Sequence, residues 1–267
     1  MAIQADSNIE VFVGEILASA PASGASQLTS WQKPEKSFRR LLRRDYVRDL
    51  RRNLNYRQLL ALVDSADAIL PRLNREPLGV MPVKQQAQLA ANLGLHFKAA
   101  PRKGTEGLAL RGFYVDKLQQ VLQRPLIYVN TAHHPVAVST TFCHELGHHL
   151  AADILRPREQ KVHLFFDVDY SDHLNDPSEL TADVLVSLAG YPRPVAEKIF
   201  SRSNGLGLVA STRNLTDNAF AEIHSHLKQV YGVDLRAGVS PRQRLNYLSG
   251  MVHYAKLRWA LLAEYDV

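Results

Sequence analysis

From Pro34 onward apolar residues recur at helical spacing. Phe38, Leu41, Leu42, Tyr46, Leu50 and Leu54 share one side while paired arginines occupy the other, which predicts a helix. A second helix is predicted over Tyr56 to Leu73, on Leu59, Leu60, Val63, Ala66, Ile69 and Leu70. Neither carries a clear helix-turn-helix signature. Residues 82–94 predict a third helix, with Pro82 in its first turn and Gly94 as its stop. The pattern then shortens to strand candidates at 95–99, 108–115 and 125–130. The last is an apolar run ended by Asn130. It fits a plain buried strand, or an edge at Ile127 to Asn130 that could take up an extended peptide as one more strand.

Pro135 opens a long predicted helix to about Leu155, in which Val138, Phe142, Leu146, Leu150 and Ile154 form an i, i+4 stripe for a core to hold. Arg156-Pro157 ends it. Residues 160–176 read as irregular or strand-like, and Asp176-Pro177 supplies an N-cap and first residue for another helix. Helices follow at 192–200 and 216–231, joined by a stretch around Gly205 and Gly207. Ser240-Pro241 begins a last one, with Leu245, Leu248, Val252, Ala255, Trp259 and Leu262 at alternating three- and four-residue spacing. Six such positions favour packing against the rest of the protein over a dimer seam, and the oligomeric state stays open. The order of elements predicts an α+β, mostly helical fold, with a small sheet beside the 135–155 helix and helical regions at both ends.

Composition changes this picture in three places. Residues 18–26, Ala-Ser-Ala-Pro-Ala-Ser-Gly-Ala-Ser, resist packing and mark 1–32 as a flexible segment. The net charge of +6 is local: residues 33–57 hold ten of the 32 basic residues and three of the 26 acidic ones, leaving 22 and 23 elsewhere. Arg39, Arg40, Arg43, Arg44, Arg51 and Arg52 therefore form either a phosphate-tracking surface for nucleic acid or the solvated face of a packed helix. The single cysteine, Cys143, excludes an intrachain disulfide and fits a cytoplasmic setting. The first 18 residues do not read as a signal peptide, and no run of about 18 apolar residues suggests a membrane span.

The chemistry is concentrated in His144-Glu145-Leu146-Gly147-His148. Four residues apart on a helix, His144 and His148 share a face and can reach one Zn²⁺, while Glu145 can serve as base toward the attacking water. The two histidines lie off the apolar stripe, where they could face a cleft. Gly147 lets another backbone approach closely. His149 points away from the metal face and is not read as a ligand. Cys143 projects about 100° from His144, so core packing is a better role for it than a thiolate on zinc.

A catalytic zinc needs a third protein ligand. Glu179, in Glu179-Leu180-Thr181-Ala182-Asp183, would complete a His₂Glu set, with Asp183 hydrogen-bonded to the outer nitrogen of a ligand histidine. Glu179 could instead fold back on the Asp176 N-cap as a capping box. Asp172, His173 and Asp176 are fallback ligands. Tyr128, Tyr170 and His173 are candidate oxyanion donors, Asn130 a candidate substrate contact, and His224, His226 and His253 are read as surface or core histidines.

The succession of a strand ending at Asn130, Thr141, His144-Glu145-Leu146-Gly147-His148 and Glu179-x-x-Ala182 resembles the ImmA/IrrE family of bacterial zinc metallopeptidases over roughly residues 82–195. The chain lacks the arginine common shortly before that motif, has Thr140 where Phe is frequent, and has Asp183 where Asn is common. Glu179-x-x-Ala182-Asp183 and the following Leu188-Ala189-Gly190-Tyr191-Pro192 are also similar to HtpX-like peptidases, which are typically membrane-embedded. The resemblance implies a zincin-like catalytic core at 81–200, between a basic helical region at 33–80 and a C-terminal helical region at 201–267. It further implies zinc on His144, His148 and Glu179, Glu145 as base, and a protein substrate such as a helix-turn-helix repressor of stress-response or mobile-element genes. Two rival readings are a DNA-binding regulator with a non-catalytic zinc site and a scaffold that grips a repressor without cutting it.

Overall fold

A computed structural model of the chain describes residues 11–15, 40–41, 44–69, 81–102, 110–116, 124–152, 154, 162–166, 173–191 and 241–265. The expected linker at 18–26, the helices at 192–200 and 216–231, and Arg39, Arg43, Asp172, Tyr170, His224 and His226 lie outside these residues.

The described part is mostly helical with one small sheet. Its helices are α1 (Tyr46–Asn53), α2 (Tyr56–Ile69), α3 (Val83–Asn92), α4 (Pro135–Ala151), α5 (Pro177–Gly190) and α6 (Pro241–Tyr265). Its strands are β1 (His96–Ala100), β2 (Leu110–Val115), β3 (Leu126–Asn130) and β4 (Val162–Phe166). Local sequence explains most boundaries. Asp45 caps α1 by accepting the Arg48 amide at 3.1 Å. Asn55 and Gln58 form a reciprocal box at the start of α2, each side chain accepting the other's amide, at 2.9 and 3.1 Å. Gly94, with φ of 73°, stops the chain after α3 in a left-handed conformation that suits glycine.

The sheet order is β1-β3-β2-β4, with β1 parallel to β3 and the other pairs antiparallel. Thus β3 is an inner strand, paired on both sides and buried at all five positions. This corrects the edge expected at Ile127 to Asn130: an unbroken apolar run suits a strand covered on both faces. The edges among the described strands are β1 and β4.

Alternation sorts the side chains of β2 and β3 between two faces. Tyr114, Ile127 and Val129 join the main core against α4, whereas Leu110, Phe113, Val115, Leu126 and Tyr128 form a second cluster with Val13. A bulge between Leu110 and Gly112 puts Leu110 on the same face as Phe113.

Helix α4 is buried around most of its circumference, as expected of a helix with a sheet on one side and helices on the other. It packs chiefly on α5, and Gly147 is the closest point. A Cβ at Gly147 would lie 2.5 Å from the Ala182 Cα and 2.9 Å from the Ala182 oxygen. Helix α6 packs on α5 and α1, with Val252, Ala255, Leu257 and Leu261 buried and Trp259 40% exposed. This is a broad packed face rather than a narrow seam, and Arg258 Nε donates to the Tyr191 oxygen at the end of α5 at 2.9 Å.

The Gly147 contact sets the first test. Alanine gains ~1 kcal/mol of helix propensity over glycine, but its methyl group cannot fit unless α4 and α5 separate. Gly147→Ala is expected to lose about 2 kcal/mol net, within the range typical of overpacked cores. Urea denaturation would show it, and an unchanged midpoint would contradict the close contact.

Candidate metal centre

Helix α4 supplies His144, Glu145 and His148, and α5 supplies Glu179 and Asp183, with one turn between the members of each pair that faces the other helix. His144 Nε2 and His148 Nε2 are 3.2 Å apart. Glu179 Oε2 is 3.1 Å from His144 Nε2, and its Oε1 is 3.7 Å from His148 Nε2. Tetrahedral ligands about 2.0–2.1 Å from zinc lie about 3.3 Å from one another. The two imidazole nitrogens and, for each, one oxygen of the Glu179 carboxylate thus stand at separations near those of zinc ligands, with one atom from each residue within 4.8 Å of the others, and their N, N, O chemistry suits that ion.

Glu179 turns toward the histidines. The capping role belongs to Asp176, which accepts the Ser178 amide at 2.8 Å. The outer nitrogens of both histidines are also held. His144 Nδ1–H donates to Asp183 Oδ1 at 2.9 Å, and His148 Nδ1 lies 3.3 Å from Ser178 Oγ. Such contacts fix which ring nitrogen keeps its lone pair for a metal. His144, His173 and Asp183 also lie within a metal's reach of one another. However, in that group Nδ1 of each histidine is engaged with the carboxylate, at 2.9 and 3.1 Å, while His144 Nε2 faces Glu179. Of the two groups, His144, His148 and Glu179 leave the better set of atoms for a metal.

The expected open cleft is not what surrounds the histidines. His144 is fully buried and His148 is 3% exposed, because α5 closes over their face through Gly147 and Ala182. Glu179, with its side chain 22% exposed, is the member of the trio that meets solvent. Glu145 is fully buried, and neither carboxylate oxygen has a hydrogen-bond partner. Unsatisfied buried carboxylates are costly, so this one is suited to a cation or substrate group beside it. Strand β2 passes close by at Gly112, where a Cβ would lie 2.5 Å from Thr141 Cγ2, 2.6 Å from the Tyr128 oxygen and 3.6 Å from Glu145 Oε1.

The other expected residues divide clearly. His173 approaches the cluster, with Nδ1 3.1 Å from Asp183 Oδ2 and 3.9 Å from Glu179 Oε2. Tyr128 belongs to the opposite sheet face: it stacks on Phe113 at 4.9 Å and donates to the Ala100 oxygen at 3.0 Å. Asn130 ties strand ends together, accepting the Arg102 and Ala132 amides at 2.9 and 3.0 Å and donating to the Leu110 oxygen at 2.9 Å. Cys143 is buried, and burial pushes its thiol up to about 12.

Two of the six arginines are committed to packing. Arg44 bridges Asp49 at 2.5 Å and Asn175 at 2.8 Å, and Arg51 forks onto Glu264 with two bonds of 2.7 Å. Arg40 and Arg52 are exposed. Three contributors were not anticipated as parts of the site. Tyr114 sets its ring 6.5 Å from that of His148 and its hydroxyl 3.2 Å from His149 Nδ1. Ser178 backs His148, and His253 bonds Asp183. Only Tyr114 had a local signal, its i+2 relation to Gly112, and reading that required the register of β2.

Charge balance follows from these contacts. Burial alone pulls His144 down, but hydrogen bonds to Asp183 and Glu179 outweigh it and push the imidazole up to about 10. Burial raises Glu179, yet His144, aided by His148 and His173, outweighs that and holds the carboxyl at about 2. Asp183 is likewise kept well below the usual carboxylate range, its burial outweighed by His173, His253 and His144. Glu145 goes the other way. Burial, reinforced by Glu179, lifts it well above its usual value against the pull of His144.

No family model, curated protein or solved structure matches this chain. Among the described residues no helix is long and apolar enough to cross a membrane.

A pH test follows from the raised His144. Its stabilising contribution is complete below 6.5 and lost as pH rises toward about 10. Glu145, also raised, acts in the same direction. Glu179 governs the acid side: its contribution is present above 4.5 and lost as pH falls toward about 2. Protein treated with a chelator should therefore lose urea resistance from pH 6.5 upward, and zinc should reduce that loss by replacing the His144 proton. A urea midpoint that stays level over this range in the chelated protein would contradict the assignment.

Proposed function

We propose that the protein is a zinc-dependent endopeptidase of ImmA/IrrE type, with a zincin-like core, acting on a protein substrate. The observation that carries this reading is the convergence of His144 Nε2, His148 Nε2 and a Glu179 carboxylate oxygen beside an unpartnered, buried Glu145. A purely structural zinc site has no need of that carboxylate. The resemblance of the motif succession to repressor-cleaving peptidases supports a helix-turn-helix repressor as the substrate.

His144, His148 and Glu179 would hold the zinc, which when bound would supply Lewis-acid polarisation of water and of the scissile carbonyl. Glu145 then acts as the base, taking the proton from the attacking water and later giving it to the leaving amine. Its buried setting raises its proton affinity, which a cation held by the neighbouring ligands would bring back down. His173, with Nδ1 3.1 Å from Asp183 Oδ2 and 3.9 Å from Glu179 Oε2, is the candidate donor to the charge that would develop on the carbonyl oxygen. Among the described strands β4 is an edge and β3 is not, which favours β4 over β3 for an extended substrate. Strand β4 pairs Phe165 with Gly112, the residue whose backbone lies against Glu145.

A non-catalytic, DNA-binding reading gains less support, since Arg44 and Arg51 are already paired with groups of the same chain.

Metal analysis and cleavage assays on three forms of the protein test the proposal. Wild type and Glu145→Gln should each hold about one zinc, while Glu179→Ala should bind it at least ~10-fold more weakly through loss of a ligand. Cleavage of helix-turn-helix repressors encoded by neighbouring genes should be confined to the wild type, with Glu145→Gln slower by ~100-fold or more. Wild-type protein that takes up no zinc would overturn the reading.

A further inference from the structure

Asp183 is fully buried, and its carboxylate meets three histidines. Oδ1 faces His144 Nδ1 at 2.9 Å, and Oδ2 faces His173 Nδ1 at 3.1 Å and His253 Nε2 at 2.7 Å. A carboxylate can only accept, so each of these nitrogens carries a proton. For His253 that leaves Nδ1 as an acceptor, and Tyr46 places its hydroxyl there at 3.1 Å. His253 is itself fully buried on α6, and Tyr46 is 3% exposed on α1. The two residues are 207 positions apart, and their rings lie 5.6 Å from each other. Lys256, one turn along α6, closes the joint by donating to the Leu41 and Arg44 oxygens at 3.2 and 3.1 Å, over the face of Tyr46.

We propose that His253 and Tyr46 are positioning residues of the metal centre, through which docking of α6 and α1 holds Asp183 against His144 and so governs how tightly the site keeps its metal. This rests on the zinc reading above, though not on the peptidase activity. The reasoning is geometric. The His253 bond is the shortest of the three to Asp183 and shares Oδ2 with His173. Without it the carboxylate is free to turn toward His173, weakening the bond that keeps the His144 proton on Nδ1 and its Nε2 lone pair on the metal. The terminal helix is then part of the site's outer shell rather than only a cover for the core.

The test compares His253→Leu, which removes the donor, with His253→Gln, whose amide can donate from a similar place, and Tyr46→Phe, which removes only the hydroxyl. Each full-length protein is checked for cooperative urea unfolding, titrated with zinc against a competing chelator, and loaded with cobalt for its visible spectrum. His253→Leu should bind zinc ~10- to 100-fold more weakly, as loss of an outer-shell partner typically does, with altered cobalt bands. His253→Gln should recover most of the affinity and the wild-type bands. Tyr46→Phe should lose a smaller factor, up to ~10-fold, for one neutral hydrogen bond. A folded His253→Leu protein with wild-type zinc affinity and cobalt spectrum overturns the proposal. If that variant does not fold, Tyr46→Phe decides it, and unchanged affinity and spectrum there overturn it. A wild type that holds zinc without cleaving leaves this proposal standing and removes the peptidase, whereas a wild type without zinc removes both.

Discussion

The structure is organised around the burial of one carboxylate. An isolated anion as deeply enclosed as Asp183 would cost far more than a domain's margin of stability. It is tolerated because three imidazole N–H groups converge on it. Each comes from a different place: His144 from α4, His173 from the turn ahead of α5, and His253 from α6. Satisfying Asp183 therefore brings together the motif helix, the helix bearing the third metal-ligand candidate and the last helix of the chain. The Gly147–Ala182 approach is the steric counterpart, since a larger residue at Gly147 would hold Asp183 away from His144.

What could be read in the sequence was whatever depends on a short stretch of chain. Helical spacing, the Asp176 cap and the Gly94 stop are local, and the described helices and strands lie close to where the pattern put them, except that the helix expected over residues 34–54 is interrupted at Arg44 and Asp45, where Asp45 caps α1. His144, His148 and Glu179 were legible for the same reason, since spacing on each helix dictates a face. Pairing and facing were less legible. Ile127 to Asn130 fits an edge or an inner strand equally well until β1 and β2 are known to flank it. Tyr128 and Tyr114 could each be assigned to a face only once the bulge in β2 and the register of β3 were fixed. His253 is 70 positions from Asp183, and no local pattern connects them.

The basic segment shows how composition and structure divide the explanation. Its local charge excess suits a polyanion, yet Arg44 reaches Asp49 and Asn175 while Arg51 reaches Glu264 on α6. The exposed Arg51–Glu264 pair adds little stability, typically under ~1 kcal/mol, whereas Arg44–Asp49 is largely buried. They do fix the orientation of α1, and that orientation carries Tyr46 to His253. Part of the arginine content is thus accounted for by registration of α1, while the exposed Arg40 and Arg52 keep the surface positive.

Access to the site follows from the same packing. Both histidines and Glu145 are closed off from solvent, and Glu179 is the partly exposed member of the cluster. Strand β2 lies against Glu145 at Gly112, where there is no room for a side chain between Thr141 and the Tyr128 carbonyl. Glu145 therefore has backbone on its sheet side, and a second helix lies across the histidine face. Glu179 is thus both a candidate ligand and the point at which the cluster meets solvent. Held ionised by the neighbouring histidines, it presents a negative charge at that point, which favours a cation there and disfavours an anionic group.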